Sequence, residues 1–447
     1  MYAELPPVGR YLLLAAAAVG LWFILRWVDQ EDPPVADRVA IHVKLRVGGA
    51  FHVTGSIPTE VHALFAHHLH DATTDPRSRW WELDVPAARA NDKISELLAD
   101  EGVEEAYIAP LYTLPSLPSS SAADSCPITT PTYDHHQDYL GPAPKGIDAP
   151  AAWKTGTRGA GVQFADIEGG WNSTHEDLPG DRISHVAGRP VIDASWRAHG
   201  TAVLGEVVGR DNGKGVIGIA PDVDHVYTSS IGGISVADAI DDAAEKLNPG
   251  DVLLIELQGT GPRGRYVPIE YWDDNFEAIQ IAVARGIVVV EAAGNGNEDL
   301  DLPVFKRKFD RAIRDSGAIL VGAGAPPRPG FKDRQKLDFS NYGSRVDVQG
   351  WGRKVTTLDY GDLQSCKGAE RGYTDRHYTG EFSGTSSASP IVAGAAVLVE
   401  SYVRAKGAAI APADVRALLR TTGTPQEGDL KKQIGPRPDL ARAFAAL

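Results

Sequence analysis

Four polar residues of this chain have the types and spacing for nucleophilic chemistry on a carbonyl carbon. Asp166 closes the run Gly161-Val-Gln-Phe-Ala-Asp166, His199 opens His199-Gly-Thr-Ala-Val-Leu, and Ser386 lies in Gly384-Thr-Ser-Ser-Ala-Ser-Pro390. A serine hydroxyl is a weak nucleophile until an imidazole accepts its proton, and the imidazole needs a buried carboxylate to fix its tautomer and stabilise the imidazolium. Acid, base and nucleophile are the roles these residues fit. Attack on a carbonyl also creates an oxyanion. Ser386, at the start of an expected helix, offers its own backbone N–H at the positive end of the helix dipole, and Asn295, closing Ile287-Val-Val-Val-Glu-Ala-Ala-Gly-Asn295, offers a side-chain amide. Glu168 competes with Asp166, because residues two apart on a strand point to the same face. Asp166 is the expected acid, since it better fits the strand end and the downstream stretch His175-Glu-Asp-Leu178.

The elements that must position these groups follow from the hydrophobic pattern. From residue 146 onward, strand-like apolar runs at 162–167, 223–229, 252–257, 287–293 and 319–322 alternate with helix-like stretches at 201–210, 236–247, 269–285, 386–403 and 412–420. Such alternation predicts an α/β fold, a mostly parallel sheet with helices on both faces, whose sites collect at the carboxyl ends of the strands. His199 and Ser386 are expected at helix starts. A smaller α+β unit is expected over residues 36–114, with strands near 39–47, 79–85 and 103–108 and helices near 59–70 and 92–100, in a β-α-β-β-α-β pattern. Residues 115–133, rich in Ser, Pro, Ala and Thr, read as a protease-accessible linker, and 134–447 as the large domain. Residues 11–25 are an unbroken apolar run between Arg10 and Arg26, with Trp22 and Trp27 near its far end. No small-x-small cleavage site follows. The first thirty residues therefore read either as a signal peptide or as a membrane anchor through residues 11–28, and in both cases the remainder is exported.

Composition excludes several classes. The 447 residues hold 44 Lys and Arg against 59 Asp and Glu, a net charge of -15, which argues against a protein that works by neutralising nucleic-acid phosphates. The only cysteines, Cys126 and Cys366, are too few for a disulfide scaffold and lack zinc-site spacing, but they can pair with each other in an oxidising compartment. His67, His68, His70, His135 and His136 lack the i, i+4 pair with an intervening Glu of a helical zinc site, and read as solvated side chains. The fragment Gly322-Ala-Gly324 is followed by two prolines that deny it the helix a dinucleotide site needs.

Taken together, the motifs resemble those of the subtilisin-like serine proteases, the subtilase family. The resemblance rests on four ordered blocks: His199-Gly-Thr-Ala-Val, Ala293-Gly-Asn295, Phe339-Ser-Asn-Tyr-Gly343 and Gly384-Thr-Ser-Ser-Ala-Ser-Pro-Ile-Val-Ala-Gly394, with the acid, histidine and serine in the family's order. It implies a serine endopeptidase that needs no cofactor for its chemistry, with protein or peptide substrates. It also implies an inhibitory propeptide over the small unit, self-cleavage in the linker between about residues 115 and 133, and a substrate edge at Leu257, Gln258 and Gly259. Asp177 and Asn212 resemble part of the family's calcium site, with a metal-free turn as the alternative. The chain departs from the family in three places. Asp166-Ile-Glu-Gly169 replaces the usual Asp followed by Ser or Thr and Gly, Ser387 stands where many relatives carry methionine, and Gln258 replaces a glycine, which puts main-chain substrate pairing or pocket shape in doubt. Two rival readings follow. One is a catalytically silent binding protein on the same fold, favoured if the acid position is disrupted; the other is an esterase, whose nucleophile elbow would need a glycine where Ala388 stands.

Overall fold

The computed structural model describes residues 38–47, 60–64, 76–113, 126–366 and 373–447, with the dipeptides 15–16 and 21–22. Apart from those dipeptides the apolar run at 11–25, and with it the signal-or-anchor reading, lies outside the described residues, as do residue 114 and linker residues 115–125. The chain divides into two units, Met1–Pro110 and Leu111–Leu447.

In the first unit, β1 (Arg38–Leu45), β2 (Glu60–Ala63), β3 (Trp80–Pro86) and β4 (Val103–Ile108) form an antiparallel sheet in the order β2-β3-β1-β4. Helix α1 (Ala90–Leu98) contributes Ala90 and Leu97 to a core with Ile41, Val43, Leu45, Leu83, Val85 and Val103. The helix expected near 59–70 is not what its described part forms. Glu60–Ala63 is a strand, and its polar–apolar alternation follows the period of two that a half-buried strand requires.

The second unit begins earlier than the linker boundary placed at 114/115, because Tyr112–Thr113 (β5) belongs to one of its sheets. Its centre is a seven-stranded, all-parallel sheet. The strands are β6 (Gln163–Glu168), β7 (Ile183–Ala187), β8 (His225–Ser230), β9 (Val252–Ile255), β12 (Val288–Ala292), β13 (Ile319–Gly324) and β14 (Val348–Trp351), in the order β14-β13-β12-β9-β6-β8-β7. Runs such as Val-Leu-Leu-Ile in β9 are apolar at every position because both faces are covered, as parallel sheets demand. A short helix, α2 (Ala149–Lys154), precedes the sheet; helices α4 (Val236–Ala244) and α5 (Asp273–Ala284) pack together against it, while α6 (Thr385–Ala405) crosses β9, β12, β13 and β14 with α3 (Ala194–Val208) beside it. Strand order reverses at β6, so the crevice beyond its carboxyl end is where such a sheet places a site.

Among the described residues α6 is long and apolar enough to cross a membrane, but it is buried in the core. The edge expected at Leu257, Gln258 and Gly259 is β10 (Gln258–Thr260), in a small antiparallel sheet whose other strands, β11 (Tyr266–Pro268) and β5, were not anticipated, nor was the antiparallel pair β15 (Val355–Leu358) and β16 (Tyr378–Phe382). Cys126 and Cys366 form a disulfide that bridges 240 residues of sequence.

Candidate active site

The site assembles at the reversal point. Strand β6 runs to Glu168, two residues beyond the expected acid, and it is Glu168 that meets the imidazole: His199 Nδ1 and Glu168 Oε2 lie 2.6 Å apart, both side chains fully buried. The expectation that Asp166 orients His199 is corrected. Asp166 sits about one strand repeat deeper along the same face, where one oxygen accepts the Trp171 indole N–H at 2.7 Å and the other has no partner among the described residues. The longer Glu side chain at the strand end reaches the helix that Asp166 cannot. Gly200 makes the approach close, since a Cβ there would lie 2.8 Å from Glu168 Cγ and 2.3 Å from the Gly170 carbonyl oxygen. The second Glu168 oxygen accepts the Gly169 N–H at 3.0 Å, so the carboxylate is held at both ends.

His199 lies in the second turn of α3 rather than at its start, because the helix begins five residues earlier behind the capping Asp193, whose carboxylate accepts the Ser195 N–H. Phe382 packs edge-on to the imidazole, with ring centroids 5.4 Å apart. The remaining imidazole nitrogen, Nε2, is buried without a hydrogen-bond partner among the described residues. Ser386 is the second residue of α6, as expected, and α6 packs against α3.

Asn295 follows β12 and is anchored twice. Its Oδ1 accepts the Thr385 N–H at 2.9 Å and the Thr385 hydroxyl at 3.1 Å, and its own N–H donates to Gln258 Oε1 at 2.8 Å. With Oδ1 committed to the residue before Ser386, the amide NH2 is the part left to donate. Gln258 therefore does not disturb the edge, as its replacement of glycine had suggested. Its main chain pairs with Pro268 on one side and Thr113 on the other, while its side chain turns toward the Asn295 loop. Leu257 is buried just before β10, and Gly259 pairs with Tyr112.

Two further buried carboxyls that the sequence reading missed, Glu206 and Glu256, accompany the displaced Asp166 beside this core. Burial pushes all three well above the usual carboxyl range, and the nearby charge of Glu168 adds to the shift at Asp166 and Glu256. Glu256 accepts the Ser389 hydroxyl at 2.5 Å, tying β9's end to the first turn of α6. An acid inside an otherwise apolar strand run was the signal that could have found it.

The residues expected to hold calcium are engaged with groups of the protein itself. Asp177 Oδ1 accepts the Asn212 amide and Oδ2 the Val216 N–H, each at 2.8 Å, so both oxygens face N–H groups, and the adjacent Glu176 is paired with the Lys214 ammonium at 2.9 Å. Burial pushes the Asp177 carboxyl up to about 7.

Comparisons with known proteins agree with this architecture. A sequence model of the Subtilase family matches residues 168–436. The alkaline protease of Alkalihalobacillus alcalophilus is 27% identical over 358 residues, covering 76% of this chain and 82% of its own. The major intracellular serine protease of Bacillus subtilis is 26% identical over 274 residues, covering 58% and 74%. A solved protease structure from Pseudoalteromonas arctica PAMC 21717 superposes with a TM-score of 0.52 at 22% identity, over 70% of this chain and 97% of that one, a likeness of fold. With the family model spanning more than half of its length, the chain belongs to the subtilase family and is a serine endopeptidase acting on protein or peptide substrates.

Proposed function

We propose that this endopeptidase works through a Ser386–His199–Glu168 triad and an acyl-enzyme. His199 Nε2 removes the Ser386 proton as the oxygen attacks the peptide carbonyl, and Glu168 holds Nδ1–H and stabilises the imidazolium. The tetrahedral oxyanion is received by the Asn295 amide and the Ser386 N–H. His199 then returns its proton to the leaving amine, and water hydrolyses the ester by the same steps in reverse. The observation that carries the reading is the 2.6 Å contact between the buried His199 Nδ1 and Glu168.

The enzyme is made as a zymogen that cuts its own linker. Supporting this, β5 already lies on the edge strand β10, with Thr113 opposite Gln258 and Tyr112 opposite Gly259, and leads directly into the linker sequence. Cleavage is expected near the start of the 115–133 stretch, releasing the small unit as the propeptide. Export of the chain, by a signal or an anchor in residues 11–28, is supported by the Cys126–Cys366 disulfide, since such bonds persist in oxidising compartments.

One experiment tests both parts: express the chain beside Ser386→Ala, label each with a fluorophosphonate, and sequence the mature N-terminus. Labelling and processing of the first alone are expected. Processing of both alike excludes self-cleavage, and a folded chain without labelling excludes the triad. Mass analysis of the product shows whether the first thirty residues are retained.

A further inference from the structure

The strand docked on β10 reveals what its neighbouring pocket holds. Main-chain pairing along an edge strand is indifferent to sequence, so selectivity must come from the pockets that receive alternate side chains. Opposite Gly259, the side chain of Tyr112 enters such a pocket. Its ring meets Trp272 edge to face, with centroids 6.2 Å apart at 74°. Trp272 reaches this place because residue 259 is glycine: a Cβ there would lie 2.2 Å from Trp272 Cη2. The phenol oxygen accepts a hydrogen bond from Asn275 Nδ2 at 2.8 Å. Asn275 is fully buried in the first turn of α5, and its Oδ1 has no partner among the described residues. Burial, with Asp274 nearby, raises the Tyr112 hydroxyl well above its ordinary range, so it enters the pocket as a neutral phenol.

We infer that Trp272 and Asn275 form a subsite that selects tyrosine in protein substrates at the position opposite Gly259, with Tyr112 as its first occupant in the zymogen. The inference rests on the proposed endopeptidase mechanism, with β10 as the substrate edge. Trp272 recognises the ring and Asn275 the hydroxyl. A phenylalanine fills the same space but leaves the buried Asn275 amide with the Ile269 carbonyl as its remaining acceptor and one N–H unpaired, and sites built around a substrate hydroxyl discriminate for that reason. A leucine loses the ring contact as well.

The test uses enzyme matured from the full chain and quenched fluorescent peptides carrying residues 109–118 of this sequence, with Tyr, Phe or Leu at the position of Tyr112. The expected kcat/KM is about 10- to 100-fold higher for Tyr than for Phe, with Leu lower still. In Asn275→Leu the Tyr-to-Phe ratio falls toward one. Equal rates for the Tyr and Phe peptides in the unaltered enzyme overturn the subsite, whether or not the variant folds. So does cleavage of neither peptide by enzyme that a fluorophosphonate labels, or an unchanged ratio in labelled Asn275→Leu. Absence of labelling overturns the catalytic proposal instead, which separates the two failures.

Discussion

The serine end and the acid end of the site are held by different physics. Around Ser386, hydrogen bonds dictate position: Thr385 binds Asn295 through both its N–H and its hydroxyl, the Thr385 hydroxyl also receives the Gly294 N–H at 3.2 Å, Gln258 holds the Asn295 N–H, and the Ser387 hydroxyl reaches the Trp351 carbonyl at 3.0 Å. Beside the acid of the site, Glu168, lie carboxyls whose oxygens are incompletely paired among the described residues: Asp166 has one without a partner, Glu256 one, and Glu206 two. Only Glu168 has donors on both oxygens. The first region fixes geometry and the second fixes protonation. Burial pushes Asp166, Glu206 and Glu256 well above the usual carboxyl range, while Glu168 is held in place by a donor at each oxygen.

Substitutions can break this contrast, beginning with the largest effect. Ser386→Ala should abolish fluorophosphonate labelling and lower kcat by about 10⁶-fold, the scale of losing a nucleophile. Glu168→Gln should cost about 10⁴-fold in kcat on a peptide substrate, because the amide holds the wrong tautomer without stabilising the imidazolium. An effect of that size from Asp166→Asn instead would reverse the assignment. Asn295→Leu removes an oxyanion donor and should cost about 10² to 10³ in kcat with KM little changed. Gln258→Leu removes one bond to the Asn295 loop, worth about 1 kcal/mol, so a loss of about tenfold or less in kcat/KM is expected. Asp166→Asn should change kcat by less than about threefold, because asparagine mimics the neutral acid.

That last variant sharpens the comparison through stability. The folded pKa of Asp166 lies well above its value of about 4 in an unfolded chain, so as pH rises past that value the unfolded state releases a proton that the folded state keeps. Stability therefore falls with rising pH until the folded group ionises, and Asp166→Asn lacks this contribution. Urea unfolding of Ser386→Ala, with and without Asp166→Asn, at pH 5 and pH 8 should show a smaller difference in the doubly substituted protein.

The serine end was legible in the sequence because its contacts are made by residues beside the reacting groups: Thr385 precedes Ser386, and Asn295 closes its strand run. The main sheet was legible for a similar reason, since parallel strands buried on both faces are continuous apolar runs. Short elements escaped. Strands β5, β11 and β15 carry too few residues for periodicity, and Glu60–Ala63 was read as helix across a stretch whose alternation spans only four residues.

By itself, then, the sequence determined the residue types, their order and the fold that gathers them, because those are set by hydrophobic pattern and by groups adjacent along the chain. Only the tertiary structure decided which of two carboxylates two residues apart serves His199. Both point to one face of β6, and the choice depends on how far the strand runs, how closely Gly200 lets α3 approach, and which carboxyl Trp171 has already claimed. It likewise decided that Gln258 pairs along the edge whose pairing its replacement of glycine had put in doubt, because a side chain's direction is set by the pairing of its strand and by partners distant in sequence.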